Sequence, residues 1–127
     1  MLDARNSGQG DLMDQLQVSA RLPRIDPAQL AEFKIAAAEL VALSRDEPGT
    51  LHYTLFLNEA ETVGEFREVY ADSDAVLAHL ATCGALIGRV AELGGGLEIE
   101  CYGTPSPALM AATAAMSPII YSYMDGK

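Results

Sequence analysis

Hydrophobic and polar positions alternate along residues 15–23 (QLQVSARLP), with Leu16, Val18, Ala20 and Leu22 on one side and Gln17, Ser19 and Arg21 on the other. Strand side chains point to opposite faces in turn, so this period of two predicts a strand with one face on a core. The period then changes. Asp26-Pro27-Ala28-Gln29 has the chemistry of a helix start: Asp26 caps, Pro27 takes the first helical position and Gln29 reaches back to the cap. From there to about residue 45, Leu30, Phe33, Ala37, Leu40, Val41 and Ser44 form one stripe. Pro48-Gly49 marks a turn. Residues 50–57 (TLHYTLFL) are β-branched, aromatic and aliphatic, as in a well-buried strand. Residues 58–61 connect to a second run, 62–70, in which Phe66, Glu68 and Tyr70 share a face. Asp72-Ser73-Asp74 then supplies cap candidates for a helix with Val76, His79, Leu80 and Cys83 on one side. Cys83-Gly84 is expected to break that helix, with a further turn or two over residues 85–93 and a stop at Gly94-Gly95-Gly96. Residues 97–103 (LEIECYG) alternate again.

The order is β-α-β-β-α-β, which predicts an α+β, ferredoxin-like domain: a four-stranded antiparallel sheet with both helices on one face. The strand at 50–57 is apolar on both sides, with Leu51, Tyr53, Leu55 and Leu57 on one and Thr54 and Phe56 on the other. A second sheet from another subunit is the economical cover, so a homodimer is expected. Past the last strand, Thr104-Pro105-Ser106-Pro107 leads into an Ala-rich helix that Ser117-Pro118 ends. Ile119, Ile120, Tyr121, Tyr123 and Met124 follow, a run too apolar to hang in water and expected to dock on the partner subunit. The organisation is therefore an arm over residues 1–14, the domain over 15–103 and a helical, apolar tail over 104–127.

Composition narrows the partners. The net charge of -10, with only 8 scattered Lys and Arg among 127 residues, argues against nucleic acid. No run approaches the roughly 20 apolar residues of a membrane helix. The start, MLDARNSGQGDLMDQ, has neither the basic nor the apolar part of a signal peptide, so a cytoplasmic protein with no membrane partner is expected. Cys83 and Cys101 lack metal or redox spacing and are expected as small buried hydrophobes. The triple glycine is no phosphate loop, since it precedes a strand and no Lys-Ser/Thr follows it.

Two ionisable residues stand out. His79 is at the edge of an apolar helix stripe that faces the sheet, where an imidazole acts as a general base or simply as a hydrogen-bonded core residue. Glu68, on the same face as Phe66 and Tyr70, needs a partner if buried, and His79, Tyr53 or an arginine are the candidates. His52 lies on the strand face opposite Tyr53. No residue pair carries a nucleophile signature.

The stretches EPGTLHY, FREVYAD and AVLAHL, set between the first helix and the last strand, resemble the antibiotic biosynthesis monooxygenase (ABM) family of the dimeric α/β-barrel superfamily. The likeness covers about residues 15–103 and rests on the Glu-Pro-Gly turn, Tyr53, the Glu68-x-Tyr70-x-Asp72 spacing and His79. It implies a homodimer whose sheets close a barrel, with a pocket between each sheet and its helices. The chain departs from the family in having Tyr70 where Trp is usual. It also has Cys83-Gly84-Ala85-Leu86 where a second His commonly precedes a Phe. The haem-degrading branch fits poorly, because its pocket Trp is missing. The resemblance implies a monooxygenase without cofactor or metal, acting on a small aromatic or polyketide-like molecule; an isomerase or cyclase, or a non-catalytic binding module, is the alternative. His79 and Glu68 are the expected catalytic pair, with Tyr53, Tyr70, Phe66 and Phe33 as substrate-binding residues.

Overall fold

In a computed structural model, which describes residues 12–127, the chain is one α+β unit. The elements are β1 (Leu16–Leu22), α1 (Leu30–Ser44), β2 (Thr50–Leu57), β3 (Gly64–Tyr70), α2 (Ser73–Leu93), β4 (Glu98–Tyr102), α3 (Pro107–Thr113) and β5 (Ile119–Tyr121). The sheet order is β2-β3-β1-β4-β5. The first four strands are antiparallel neighbours, as the ferredoxin-like order demands, and α1 and α2 lie together on one face. Of the expected arm, residues 1–11 lie outside the described residues, and Leu12–Asp14 forms a single 3-10 turn.

Three expectations are corrected. Cys83-Gly84 does not break α2, which runs for 21 residues from a cap in which the Asp72 carboxylate accepts from the Ala75 N–H. Gly84 lies on the exposed side, with nothing within 4 Å of the place a methyl group would take there. A glycine there costs about 1 kcal/mol relative to alanine, and burial of Cys83, Val90 and Leu93 on the other side outweighs it. By length and composition α2 would suit a membrane span, but its apolar stripe packs on the sheet and α1.

The second correction is the strand count, five instead of four. The third, its cause, is the tail. It returns along its own sheet, where β5 pairs in parallel with β4 and Gly103 N–H donates to the Tyr121 carbonyl. α3 starts at a Ser106 cap, and the Ser106 N–H donates in turn to Ser73 Oγ, tying the tail to the start of α2. A lone sheet edge at β4 would leave peptide groups unpaired, and three residues of β5 satisfy them.

The core has two parts. One holds Leu22, Ile25, Phe33, Leu40, Phe66 and Val90 between α1, α2 and the sheet. The other holds Leu16, Tyr70, Val76, Cys101 and Leu109, so the tail supplies one of its five members. Leu109→Ala is expected to lower stability by about 2–4 kcal/mol, the usual loss for a fully packed leucine, measured as a shift in urea midpoint at constant slope.

Candidate functional site

Cross-strand register builds the site. Tyr53 of β2 sits opposite Glu68 of β3, Glu68 opposite Val18 of β1, Val18 opposite Cys101 of β4, and Cys101 beside Ile120 of β5. This single row across all five strands floors a cavity of about 80 Å³ between the sheet, α2 and the tail. Phe66 and Tyr70 flank Glu68 on the same face, while Val76, His79 and Leu80 of α2 form the roof. Leu109, Met110 and Met116 close the tail side.

His79 is 2 % exposed, and its ring packs against Tyr53 (centroids 4.9 Å) and Tyr70 (5.6 Å). Tyr53 in turn touches Phe66, at 5.0 Å. Five of the expected site residues are thus brought together. Phe33 is not among them. It lies in the core under the far end of the β2–β3 hairpin, beside Gly64 and off the cavity wall. Its position near the start of α1 fixes that end of the sheet as its neighbour. His52 is exposed on the opposite sheet face.

The partner of His79 also differs from expectation. It is Glu47, whose Oε1 lies 2.8 Å from Nδ1, and not Glu68. Glu47 belongs to the turn between α1 and β2 and accepts two further bonds, from Thr50 Oγ1 at 2.9 Å and from the Cys83 thiol at 3.6 Å. The turn approaches α2 so closely that a Cβ on Gly49 would come within 2.5 Å of the Ala75 Cβ, so only glycine fits. The signal for Glu47 is an acid in a turn facing a His and a Cys spaced i, i+4 on one helix. A carboxylate accepts and does not donate, so the shared proton sits on Nδ1, leaving the Nε2 lone pair as the free basic position.

Glu68 has a different environment. Its Oε1 accepts from the Tyr70 hydroxyl at 2.6 Å, and the rest of it faces hydrocarbon. Burial pushes its carboxyl from 4.5 up to about 8, against a downward pull from the Tyr70 bond. At neutral pH its raised value favours the protonated form, which has a proton to donate. Burial, and then the neighbouring Glu68, push both Tyr53 and Tyr70 above the ordinary phenol range, so both stay neutral. Burial and Glu47 push the Cys83 thiol up to about 11, which keeps it a donor to Glu47. The cavity therefore sets an imidazole oriented by Glu47 beside a carboxyl whose protonated form burial favours. Glu47, His79 and Cys83 also place one ligand atom each within 4.8 Å of one another, the one such group of three among the described residues. A wider groove of about 760 Å³ runs outside, between α1 and β2, but its polar groups Lys34, Arg45 and His52 are exposed to solvent.

Known proteins share this framework. The sequence profile of the ABM family (antibiotic biosynthesis monooxygenase) matches residues 18–85. Among solved structures, MupZ from Pseudomonas fluorescens superposes with a TM-score of 0.79 at 24 % identity, covering 93 % of this chain and 91 % of its own. That coverage carries the match beyond β4 into the tail. A putative antibiotic biosynthesis monooxygenase from Caulobacter crescentus gives 0.60 at 29 % identity over 74 % of this chain and 92 % of its own. SnoaB from Streptomyces nogalater, a cofactor-independent oxygenase, gives 0.53 at 24 % over 69 % and 88 %. A sequence comparison with curated proteins finds no match.

The Glu68 environment makes stability depend on pH in a definite direction. Between 4.5 and about 8 the folded chain keeps a proton on Glu68 that the unfolded chain has released, so stability falls as pH rises through that window and levels off above it. Glu68→Gln retains an acceptor for Tyr70 and cannot ionise. It is expected to flatten that part of the profile and, above pH 8, to exceed the wild type by a few kcal/mol, on the order of 1.4 per pH unit of the window. Parallel unfolding curves for both proteins across the window check this; equal slopes would show Glu68 ionised in the fold.

Proposed function

The chain belongs to the antibiotic biosynthesis monooxygenase family, and from that premise we propose that it is a cofactor-independent monooxygenase of a small aromatic or polyketide-like substrate. The observation that carries this is the pairing, in one apolar cavity, of His79, held by Glu47 with Nε2 free, and Glu68, held protonated by burial. His79 Nε2 takes a proton from an acidic C–H or phenol. Glu68 donates a hydrogen bond to the oxygen on which the negative charge settles, as a neutral carboxylic acid in an apolar site does. Tyr53 and Phe66 offer ring surface to an aromatic substrate. The substrate carbanion then adds to molecular oxygen, the resulting peroxide anion takes the proton back from His79, and the hydroperoxide loses water to leave a carbonyl. SnoaB, an oxygenase with this fold, supports that chemistry.

A redox-neutral isomerisation or ring closure is the second reading, favoured by Glu68 being a proton donor: a proton leaves at His79 and another returns from Glu68, without oxygen. In either case the cavity, about 80 Å³, is well short of the about 300–1,000 Å³ that a ligand of this class fills. Leu109, Met110 and Met116 form its wall on the tail side, where α3 is held at its start by Ser106 and Ser73.

Quinols and anthrones are the compounds to test. Oxygen uptake matched mole for mole by carbonyl product is expected, with loss of activity as pH rises past about 8, where Glu68 loses its proton. His79→Gln replaces the base by an amide that cannot take a proton and should lower kcat by about 10²–10⁴-fold without unfolding the chain. Conversion that proceeds equally well without oxygen selects the second reading. Turnover unchanged by His79→Gln would remove His79 from both.

We also propose a homodimer through the outer sheet face, where Phe56, Tyr102, Ile119 and Tyr121 are exposed and Tyr102 stacks on Tyr121 at 5.0 Å. Sedimentation at micromolar concentration is expected to give about twice the 13.5 kDa chain mass. A monomer there removes the barrel.

A further inference from the structure

We propose that Glu47, His79 and Cys83 form a binding site for a divalent transition-metal ion of the zinc type, and that the ion switches off the base at His79. The first half stands on geometry alone; the second rests on His79 Nε2 being the base, as argued above.

The three side chains offer one oxygen, one nitrogen and one sulfur, the donor set that zinc and cobalt select. His79 and Cys83 are one helical turn apart on α2 and present Nδ1 and Sγ to the same carboxylate, which the α1–β2 turn brings in from the other side. All three ligand atoms lie within 4.8 Å of one another. Metal–ligand bonds of about 2.0–2.3 Å in a tetrahedron separate ligand atoms by about 3.3–3.7 Å. Glu47 Oε2 lies 3.6 Å from Cys83 Sγ, which already fits, and Glu47 Oε1 lies 2.8 Å from His79 Nδ1, so ligation through one carboxylate oxygen takes side-chain shifts on the order of 1 Å. His79 and Cys83 are buried, while the Glu47 side chain is 14 % exposed in a surface turn and gives an ion its way in. Three protein ligands leave the fourth tetrahedral position to water.

Proton bookkeeping gives the switch. Without metal the three groups hold two protons, one on Nδ1 and one on Sγ, both shared with the Glu47 carboxylate. A divalent ion displaces both. The imidazole is neutral again only if Nε2 takes a proton, so one proton is retained there and one is released to solvent. The site charge goes from minus one to zero as the ion enters with its two positive charges and one proton departs. Nε2, an acceptor before, is now a donor and no longer able to take a proton from substrate.

The experiment uses the full chain and Co2+ and Zn2+ alone as probes. Co2+ at one equivalent should produce a thiolate-to-metal charge-transfer band that Zn2+ abolishes. Zn2+ should bind one per chain, release one proton in weak buffer and protect one thiol from alkylation. Cys83→Ser should lose the band and Cys101→Ser should keep it. Absence of that band in the wild-type protein overturns the site whatever the variants do, as does a band that survives Cys83→Ser. With substrate, saturating Zn2+ should lower kcat at least 10²-fold, reversed by chelator. Binding with full activity overturns the switch and the role of Nε2 while leaving the site standing.

Discussion

Glu47 ties together parts of the chain that are distant in sequence. Its carboxylate accepts from Thr50, from His79 and from Cys83, so one side chain in the α1–β2 turn joins the start of β2 to the middle of α2. Hydrogen bonds to a charged acceptor contribute more than neutral ones, and a buried imidazole without its partner would be left with a desolvated N–H. The turn must therefore lie against α2, and Gly49 is the residue that lets it. Once the turn is seated, the ring of His79 is fixed in both orientation and tautomer, and Tyr53 is carried in against it.

The sheet contributes the other half of the site by register alone. Because side chains alternate along a strand, placing Glu68 on the helix-facing side also places Tyr53, Val18, Cys101 and Ile120 there, one from each strand. Four members of that row are apolar or aromatic, and this is what desolvates the fifth. The tail extends the row to β5 and shields its far end with α3, so the segment outside the ferredoxin-like core helps keep Glu68 protonated. The coverage of MupZ along the tail shows that this extended framework occurs in another protein.

Much of this is legible in the sequence. Alternation at 15–23 and 97–103, the apolar stripe of α1 and the shared face of Phe66, Glu68 and Tyr70 are local patterns, and each leads to the element that is there. So is the facing of His79, because Val76 and Cys83 on either side of it fix which face of α2 is buried. What the sequence hides is non-local. Gly84 reads as a stop because its cost is local, whereas the burial that overrides it comes from β-strands far away in the chain. The tail reads as an interchain element because its apolar character says that it docks and not where. Phe33 reads as a pocket residue because aromatic character does not say over which end of the sheet a helix will lie.

Glu47 and Glu68 show why residue type alone does not assign the roles. Both are glutamates on the helix side of the sheet, within reach of the same two tyrosines through their fields. Glu47 meets three donors and a partial opening to water, so it serves as an acceptor that orients. Glu68 meets one donor and hydrocarbon, so burial favours its protonated form. Two like side chains pushed apart in function by their surroundings are what an acid–base site requires, since one group has to hold the base in place while another supplies the proton. The division follows from topology: a turn can be met by polar groups from several elements, whereas the middle of a five-stranded sheet under a helix is met mainly by the side chains of its neighbours in the row.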